Sequence, residues 1–161
     1  MKLVCRRFEG SLTAYCDADW ANDKDDRRST TGFVVSLSGT AVSWSSKKQR
    51  TVALSTAEAE YMALSHAMQE ITWLQSLCTE LSIYPEKSRL LCDNSAAISR
   101  ARTQERSSRT KHIDIRHHFV KEKVQAGDVP CDNFVLCSTC PLLLCFATLN
   151  KHAGAERNSN T

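Results

Sequence analysis

LTAYCDADW, residues 12–20, is the stretch on which the fold class turns. Its side chains alternate, with Leu12, Ala14, Cys16 and Ala18 on one face and Thr13, Tyr15, Asp17 and Asp19 on the other, as in a half-buried strand. An acid, Asp17, therefore sits inside a regular element. The polar run at residues 21–29 reads as a loop. Residues 31–37 and 40–46 are β-branched or aromatic and meet at Ser38-Gly39, a hairpin signal. Three strands in antiparallel succession are expected.

Beyond the hairpin, Ser55 or Thr56 is a plausible N-cap and Glu58 an acid in the first turn of a helix predicted to reach residue 81. Tyr61, Leu64, Met68, Ile71, Leu74, Leu77, Cys78 and Leu81 recur at threes and fours, the stripe of a helix packed on a sheet. Pro85 closes the connection. Residues 89–93 lack alternation and suit a strand covered on both faces. A short helix over residues 94–102 and another over residues 112–125, ending at Gly127, complete a βββαβαα order. That mixture of hairpin and crossover places the chain in the α/β class.

The bulk properties agree with one globular domain. The 161 residues can bury a core unaided, and 42% apolar with 24% charged residues excludes a disordered or membrane-embedded class. The net charge of +3 is small, but basic residues gather at Lys47, Lys48 and Arg50 and over residues 100–123. The N-terminus has no apolar run after its basic start, so an intracellular, reducing setting is expected. Cys5, Cys16, Cys78 and Cys92 read as free core thiols, while Cys131, Cys137, Cys140 and Cys145 crowd together without a matching second ligand pair for zinc. After Pro130 an apolar stretch of no clear period follows, too short and broken to span a bilayer.

Asp17, Glu60 and Asp93 fit a purely structural account least well. Helical rotation puts Glu60 near the middle of the apolar stripe and Glu58 on the solvent side. Turning a carboxylate inward costs several kcal/mol unless it is paired, protonated or bound to a cation. A divalent ion would relieve the burial and the mutual repulsion together. Hard oxygen ligands suit Mg²⁺ or Mn²⁺, and such clusters support two-metal phosphodiester hydrolysis. The same residues also admit structural roles. Asp17 could join a strand-end turn, Glu60 could pair with an arginine, and Asp93 with Asn94 could cap the next helix.

Four strings in order sharpen the choice: YCDADWANDKDDRRSTTGFVV from residue 15, AVSWSSKKQRTVALSTAEAEYMAL from residue 41, LLCDNSAAI from residue 90, and SRTKHIDIRHHFVKEKV from residue 108. Together they resemble the ribonuclease H domain of copia-type retrotransposon Pol polyproteins, over roughly residues 10–128. The resemblance implies a mixed sheet, three antiparallel strands followed by parallel ones, flanked by helices. It implies that Asp17, Glu60 and Asp93 are the catalytic, metal-binding carboxylates, that Mg²⁺ or Mn²⁺ is the cofactor, and that the RNA strand of an RNA/DNA hybrid is cut. It also implies a reverse transcriptase domain as neighbour in the parent polyprotein, and a cytoplasmic, virus-like-particle or nuclear location.

One departure stands against this. The family continues into a final strand and a helix bearing a fourth carboxylate, and nothing over residues 129–161 matches them. The chain is therefore divided into a ribonuclease H-like domain, 1–128, and an atypical tail, 129–161, frameshifted or degenerate, with the C-terminal strand and helix expected to be lost. Enzymatic activity is left open on this ground. The alternative to hydrolysis is a non-catalytic nucleic-acid-binding remnant of a transposon polyprotein.

Hybrid recognition would rest on backbone phosphates and 2′-hydroxyls. Lys47, Lys48 and Arg50 are candidate contacts, with Ser55 and Thr56 at a helix N-terminus and Asn94, Arg109, Lys111 and His112 further on. Arg116, His117 and His118 extend the second basic group, whose alternatives are nucleic-acid contact or solvent. Trp20, Trp44 and Trp73 are expected in or near the core.

Overall fold

The computed structural model describes residues 10–83, 85, 87–103 and 111–133. In chain order the elements are β1 (Leu12–Asp19), β2 (Thr30–Leu37), β3 (Thr40–Lys48), α1 (Thr56–Glu80), β4 (Ser88–Cys92), α2 (Ser95–Arg102), α3 (Lys111–Gln125) and β5 (Cys131–Asn133). The strands form one sheet in the order β3-β2-β1-β4-β5. The first three pair antiparallel, and β4 is parallel to both β1 and β5.

Local chemistry accounts for the boundaries. Ser38 and Gly39 turn the β2–β3 hairpin with φ of 53° and 77°, the left-handed pair that matches strand twist and that glycine adopts without a Cβ penalty. Ser55 caps α1 by accepting from the Glu58 amide at 3.2 Å, and the Glu58 carboxylate reaches back to the Leu54 amide at 2.8 Å. Asn94 caps α2 by accepting from the Ala96 and Ala97 amides. Gly127, at φ 75°, stops the chain just past α3.

The core lies between α1 and one face of the sheet. Leu12, Ala14 and Cys16 of β1, Phe33 and Val35 of β2, Leu90 and Cys92 of β4, and Cys131 of β5 meet Ala63, Leu64, Ala67, Met68 and Ile71. Alanines at 63 and 67 let the helix backbone approach the strands closely. Ala97, Ile98 and Ala101 of α2 and Val120 of α3 close the side of this core. Burying a leucine such as Leu64 contributes about 1.5–3 kcal/mol. Cys16, Cys78 and Cys92 are buried free thiols, as expected, and Cys131 joins them.

Two expectations fail. The final strand is not lost, because Cys131–Asn133 pairs with β4 and the Leu90 amide donates to the Pro130 carbonyl at 2.9 Å. The sheet therefore continues past residue 128, and Val129 and Cys131 are almost wholly buried. The sequence hides this strand because β4 supplies the pairing that a Cys-Asp-Asn run does not specify by propensity. The expected loss of the following helix, and Cys137, Cys140 and Cys145, lie outside the described residues.

The tryptophans are the second failure: Trp20, Trp44 and Trp73 are 46%, 58% and 56% exposed. Trp44 pairs with Val34 on the face turned from α1, in an edge strand, while Trp73 lies off the Ile71–Leu74 stripe. Membership of a regular element did not fix the face. Among the described residues no helix is long and apolar enough to cross a membrane.

Ending the chain at Asp128 should remove β5, uncover the edge of β4 and delete two buried side chains. A lowered melting temperature and aggregation on size-exclusion chromatography are the expected outcome. A monomer with unchanged melting would show that β5 adds nothing to stability.

Candidate active site

Each candidate carboxylate is placed by a different element. Asp17 is near the end of β1, opposite Gly32 of β2, which presents no side chain. Glu60 is in the second turn of α1 and only 8% exposed, because the apolar stripe on either side of it is pressed to the sheet. Asp93 follows the last residue of β4 and precedes the Asn94 cap. These are the C-terminal ends of two adjacent parallel strands, with the start of α1 above them.

The three acids act on one another. Burial, then the charges of Asp17, Cys92 and Asp93, push Glu60 up to about 9. Asp17 is also raised, first by burial and then by Asp93, with a hydrogen bond to the Glu60 carboxyl partly offsetting this. Burial raises Asp93. Oε2 of Glu60 and Oδ1 of Asp93 are buried without any hydrogen-bond partner. One ligand atom each from Glu60, Cys92 and Asp93 lie within 4.8 Å of one another. Unpaired buried carboxylate oxygens are costly unless a proton or a cation meets them.

Of the structural alternatives, the helix cap is made by one of the two residues named for it, and the arginine pair for Glu60 is not found among the described residues. Asn94, not Asp93, accepts from the α2 amides, and Glu60 has no arginine ion pair among the described residues. Two nearby residues were missed by sequence reasoning. Cys92 directly precedes Asp93, and its thiol hydrogen-bonds with Cys16, which holds it below the usual thiol range and pushes Cys16 well above. Gln49 is 2% exposed inside the basic run, and its amide donates to the Thr31 hydroxyl at 2.8 Å and the Ala59 carbonyl at 3.0 Å. It ties β2 to the first turns of α1 and so positions Glu60. A lone glutamine in a charged loop gave no sign of this.

The candidate nucleic-acid residues divide. Lys47, Arg50 and Thr56 are exposed. The Lys48 ammonium is engaged instead by Asp23 at 2.5 Å and Asp26 at 2.8 Å, so it clamps the β1–β2 loop. That pairing draws Asp23 down to about 2. Ser55 and Asn94 spend their side-chain oxygens on caps. Lys111 and His112 begin α3, and Arg109 lies outside the described residues.

No family model matches the chain. It is 43% identical over 123 residues to the retrovirus-related Pol polyprotein from transposon TNT 1-94 of Nicotiana tabacum, covering 74% of this chain and 9% of that protein. To the retrovirus-related Pol polyprotein from transposon RE1 of Arabidopsis thaliana it is 46% identical over 118 residues, covering 73% and 8%. The chain thus spans less than a tenth of these relatives' length. Among solved structures it resembles LC11-RNase H1, isolated from compost by a metagenomic approach, with a TM-score of 0.56 over 77% of this chain and 84% of that one, at 13% identity. The same enzyme in complex with an RNA/DNA hybrid gives 0.53 over 76% and 84%, also at 13% identity. Likeness at that identity is likeness of fold.

The raised carboxyl of Glu60 predicts how cation-free stability depends on pH. Its ordinary value is 4.5 and its folded value about 9, so its contribution is fully present below pH 4.5 and is lost as pH rises toward 9. Glu60→Gln should therefore be more stable than the parent at pH 8 in EDTA, by ~2 kcal/mol, and nearly equal to it at pH 5. Urea melts at the two pH values test this, and an equal difference at both would show that the carboxyl is solvated.

Proposed function

Because this chain belongs to the copia-type retrotransposon Pol polyproteins, as their ribonuclease H domain, we propose that it hydrolyses the RNA strand of RNA/DNA hybrids, cutting internally with Mg²⁺ or Mn²⁺. The observation that carries the reading is the pair of buried, unpartnered oxygens on Glu60 and Asp93 beside Asp17. That donor set is hard and anionic, and it fits such ions. Asp17, Glu60 and Asp93 would hold them, and the bound ions would supply the Lewis acidity for phosphodiester hydrolysis.

The remaining work falls to the chain's own residues. Gln49 and the Ser55 cap fix the start of α1, so Glu60 is held over the strand ends without rearrangement. Asn94 anchors α2 directly after Asp93 and limits that carboxylate's freedom. Lys47 and Arg50 are exposed and would offer backbone phosphates a cationic approach. Within a polyprotein the domain would act on hybrids made by the adjoining reverse transcriptase, in the cytoplasm or a virus-like particle.

A second reading has a specific basis. No family-like fourth carboxylate motif occurs in the sequence, and a nucleic-acid-binding remnant would keep the basic surface without turnover. Cleavage of a labelled RNA/DNA hybrid separates the two. The expected outcome is cutting that needs Mg²⁺ or Mn²⁺ and falls at least 100-fold in Asp17→Asn, Glu60→Gln and Asp93→Asn, all three remaining folded. Binding of hybrid with no cleavage at any Mg²⁺ or Mn²⁺ concentration would establish the remnant instead. Undiminished cleavage in any of the three variants would reject this carboxylate set.

A further inference from the structure

The carboxylate site contains an atom that phosphodiester hydrolysis does not call on, the sulfur of Cys92. Cys92 ends β4, and its side chain is wholly buried in the core beneath α1. Across the β1–β4 pairing it stands opposite Cys16. The two thiols have different surroundings. Cys16 donates to the Leu91 carbonyl at 3.7 Å. The sulfur of Cys92 lies within 4.8 Å of a carboxylate oxygen on Glu60 and of one on Asp93, and those two oxygens lie as close to each other. Among the described residues the set that gathers this tightly is therefore two carboxylates and a thiol, with Asp17 outside it.

A role as a core thiol accounts for the burial of Cys92 but not for its neighbours. Glu60 is 8% exposed, and its Oε2 has no hydrogen-bond partner, nor has Oδ1 of Asp93. A thiol beside such oxygens is only a weak donor, so they remain costly. One cation bound by all three side chains would meet both oxygens at once. The donor types decide which cation. Mg²⁺ demands hard oxygen ligands in near-octahedral geometry, and thiolate is a poor partner for it. Zn²⁺ accepts thiolate and carboxylate together, and three protein ligands with a fourth position left to water are a common arrangement for it. In a tetrahedral shell of that kind neighbouring ligand atoms are about 3.5 Å apart. The movement needed from the observed spacing is on the order of 1 Å, and Asp93, the least buried of the three, can supply it by side-chain rotation.

We infer that Glu60, Cys92 and Asp93 form a mixed sulfur–oxygen site for one zinc ion, which displaces hard divalent ions from two of the three acids. On binding, the Cys92 thiol gives its proton to solvent and the sulfur becomes a thiolate ligand. Zinc binding requires only these three side chains. Inhibition by zinc rests on the function proposed above, since an ion held there excludes Mg²⁺ from Glu60 and Asp93.

Cys137, Cys140 and Cys145 carry thiols of their own, so the test uses the full chain with those three replaced by serine. The first measurement is X-ray absorption at the zinc edge with one equivalent of Zn²⁺ bound. The expected shell has one sulfur at about 2.3 Å and its remaining ligands oxygen or nitrogen at about 2.0–2.2 Å. Any other number of sulfurs overturns the site, and this measurement needs no change at Cys92. In the second, Zn²⁺ and Mg²⁺ affinities are measured by competition with a chromogenic chelator. Cys92→Ser should lose at least about tenfold in zinc affinity, since removing a ligand costs no less than removing an outer-shell partner. Its Mg²⁺ affinity should stay within about twofold of the parent value, because the hard ion draws on oxygen alone. Equal losses for both ions would show that the sulfur merely supports the carboxylates, and would overturn the site, as would unchanged zinc affinity. Should Cys92→Ser not fold, the sulfur count decides alone. The third measurement follows hybrid cleavage in Mg²⁺ as Zn²⁺ is added. Zinc should stop it, and Cys92→Ser should need at least about tenfold more zinc for the same effect; equal sensitivity in the two chains overturns inhibition through this site. If no hybrid is cleaved with Mg²⁺ or Mn²⁺, the proposed function fails, while a single sulfur in the zinc shell still supports the site.

Discussion

Everything at the site depends on the pressing of α1 onto the sheet face formed by β1, β2 and β4. Leu64, Met68 and Ile71 are wholly buried there, and Ala63 and Ala67 allow the close approach. Glu60 lies one turn before Leu64 on the same stripe, so the burial that stabilises the fold also drives a carboxyl inward. Gln49 reinforces the constraint from the side by joining Thr31 to Ala59. The cost of an inward acid is therefore a consequence of the architecture.

That cost explains where the protein spends its ion pairs and where it withholds them. Lys48 with Asp23 and Asp26, Arg102 with Asp132, and Lys123 with Asp128 are partly exposed pairs that hold loops and strand ends. Such pairs are individually weak. Among the described residues the carboxylates around Glu60 receive no partner of this sort.

Much of this was legible in the sequence because it follows from periodicity. Alternation in β1, the Ser38-Gly39 turn, the long stripe of α1 and the caps at Ser55 and Asn94 are local features with local causes. The three acids could be singled out because inward carboxylates break those same patterns. What escaped notice depends on partners distant in sequence. β5 exists through its pairing with β4, and Gln49 is buried only because β2 and α1 close over it. Lys48 looked like its neighbour Lys47 until the β1–β2 loop folded back with two aspartates. The tryptophans show the limit of the same reasoning, since propensity places a residue in an element and tertiary packing decides which face it takes.

The fate of the nearby acids bears on the missing fourth carboxylate. Asp128 is held by Lys123 at 3.0 Å, and Asp132 by the Arg102 guanidinium, which also donates to the Cys131 carbonyl. Both face cations at the β5 end of the sheet. Among the described residues the ligand atoms that gather within 4.8 Å of one another are those of Glu60, Cys92 and Asp93, and Asp17 is hydrogen-bonded to the Glu60 carboxyl. Under the proposed reading, a divalent ion with fewer protein carboxylates must complete its shell with more water or with substrate phosphate oxygens. Its occupancy then depends on the nucleic acid being in register. A strand fixed by contacts away from the acids would compensate for what the carboxylate set lacks, because positioning the phosphate also positions the ion's remaining ligands.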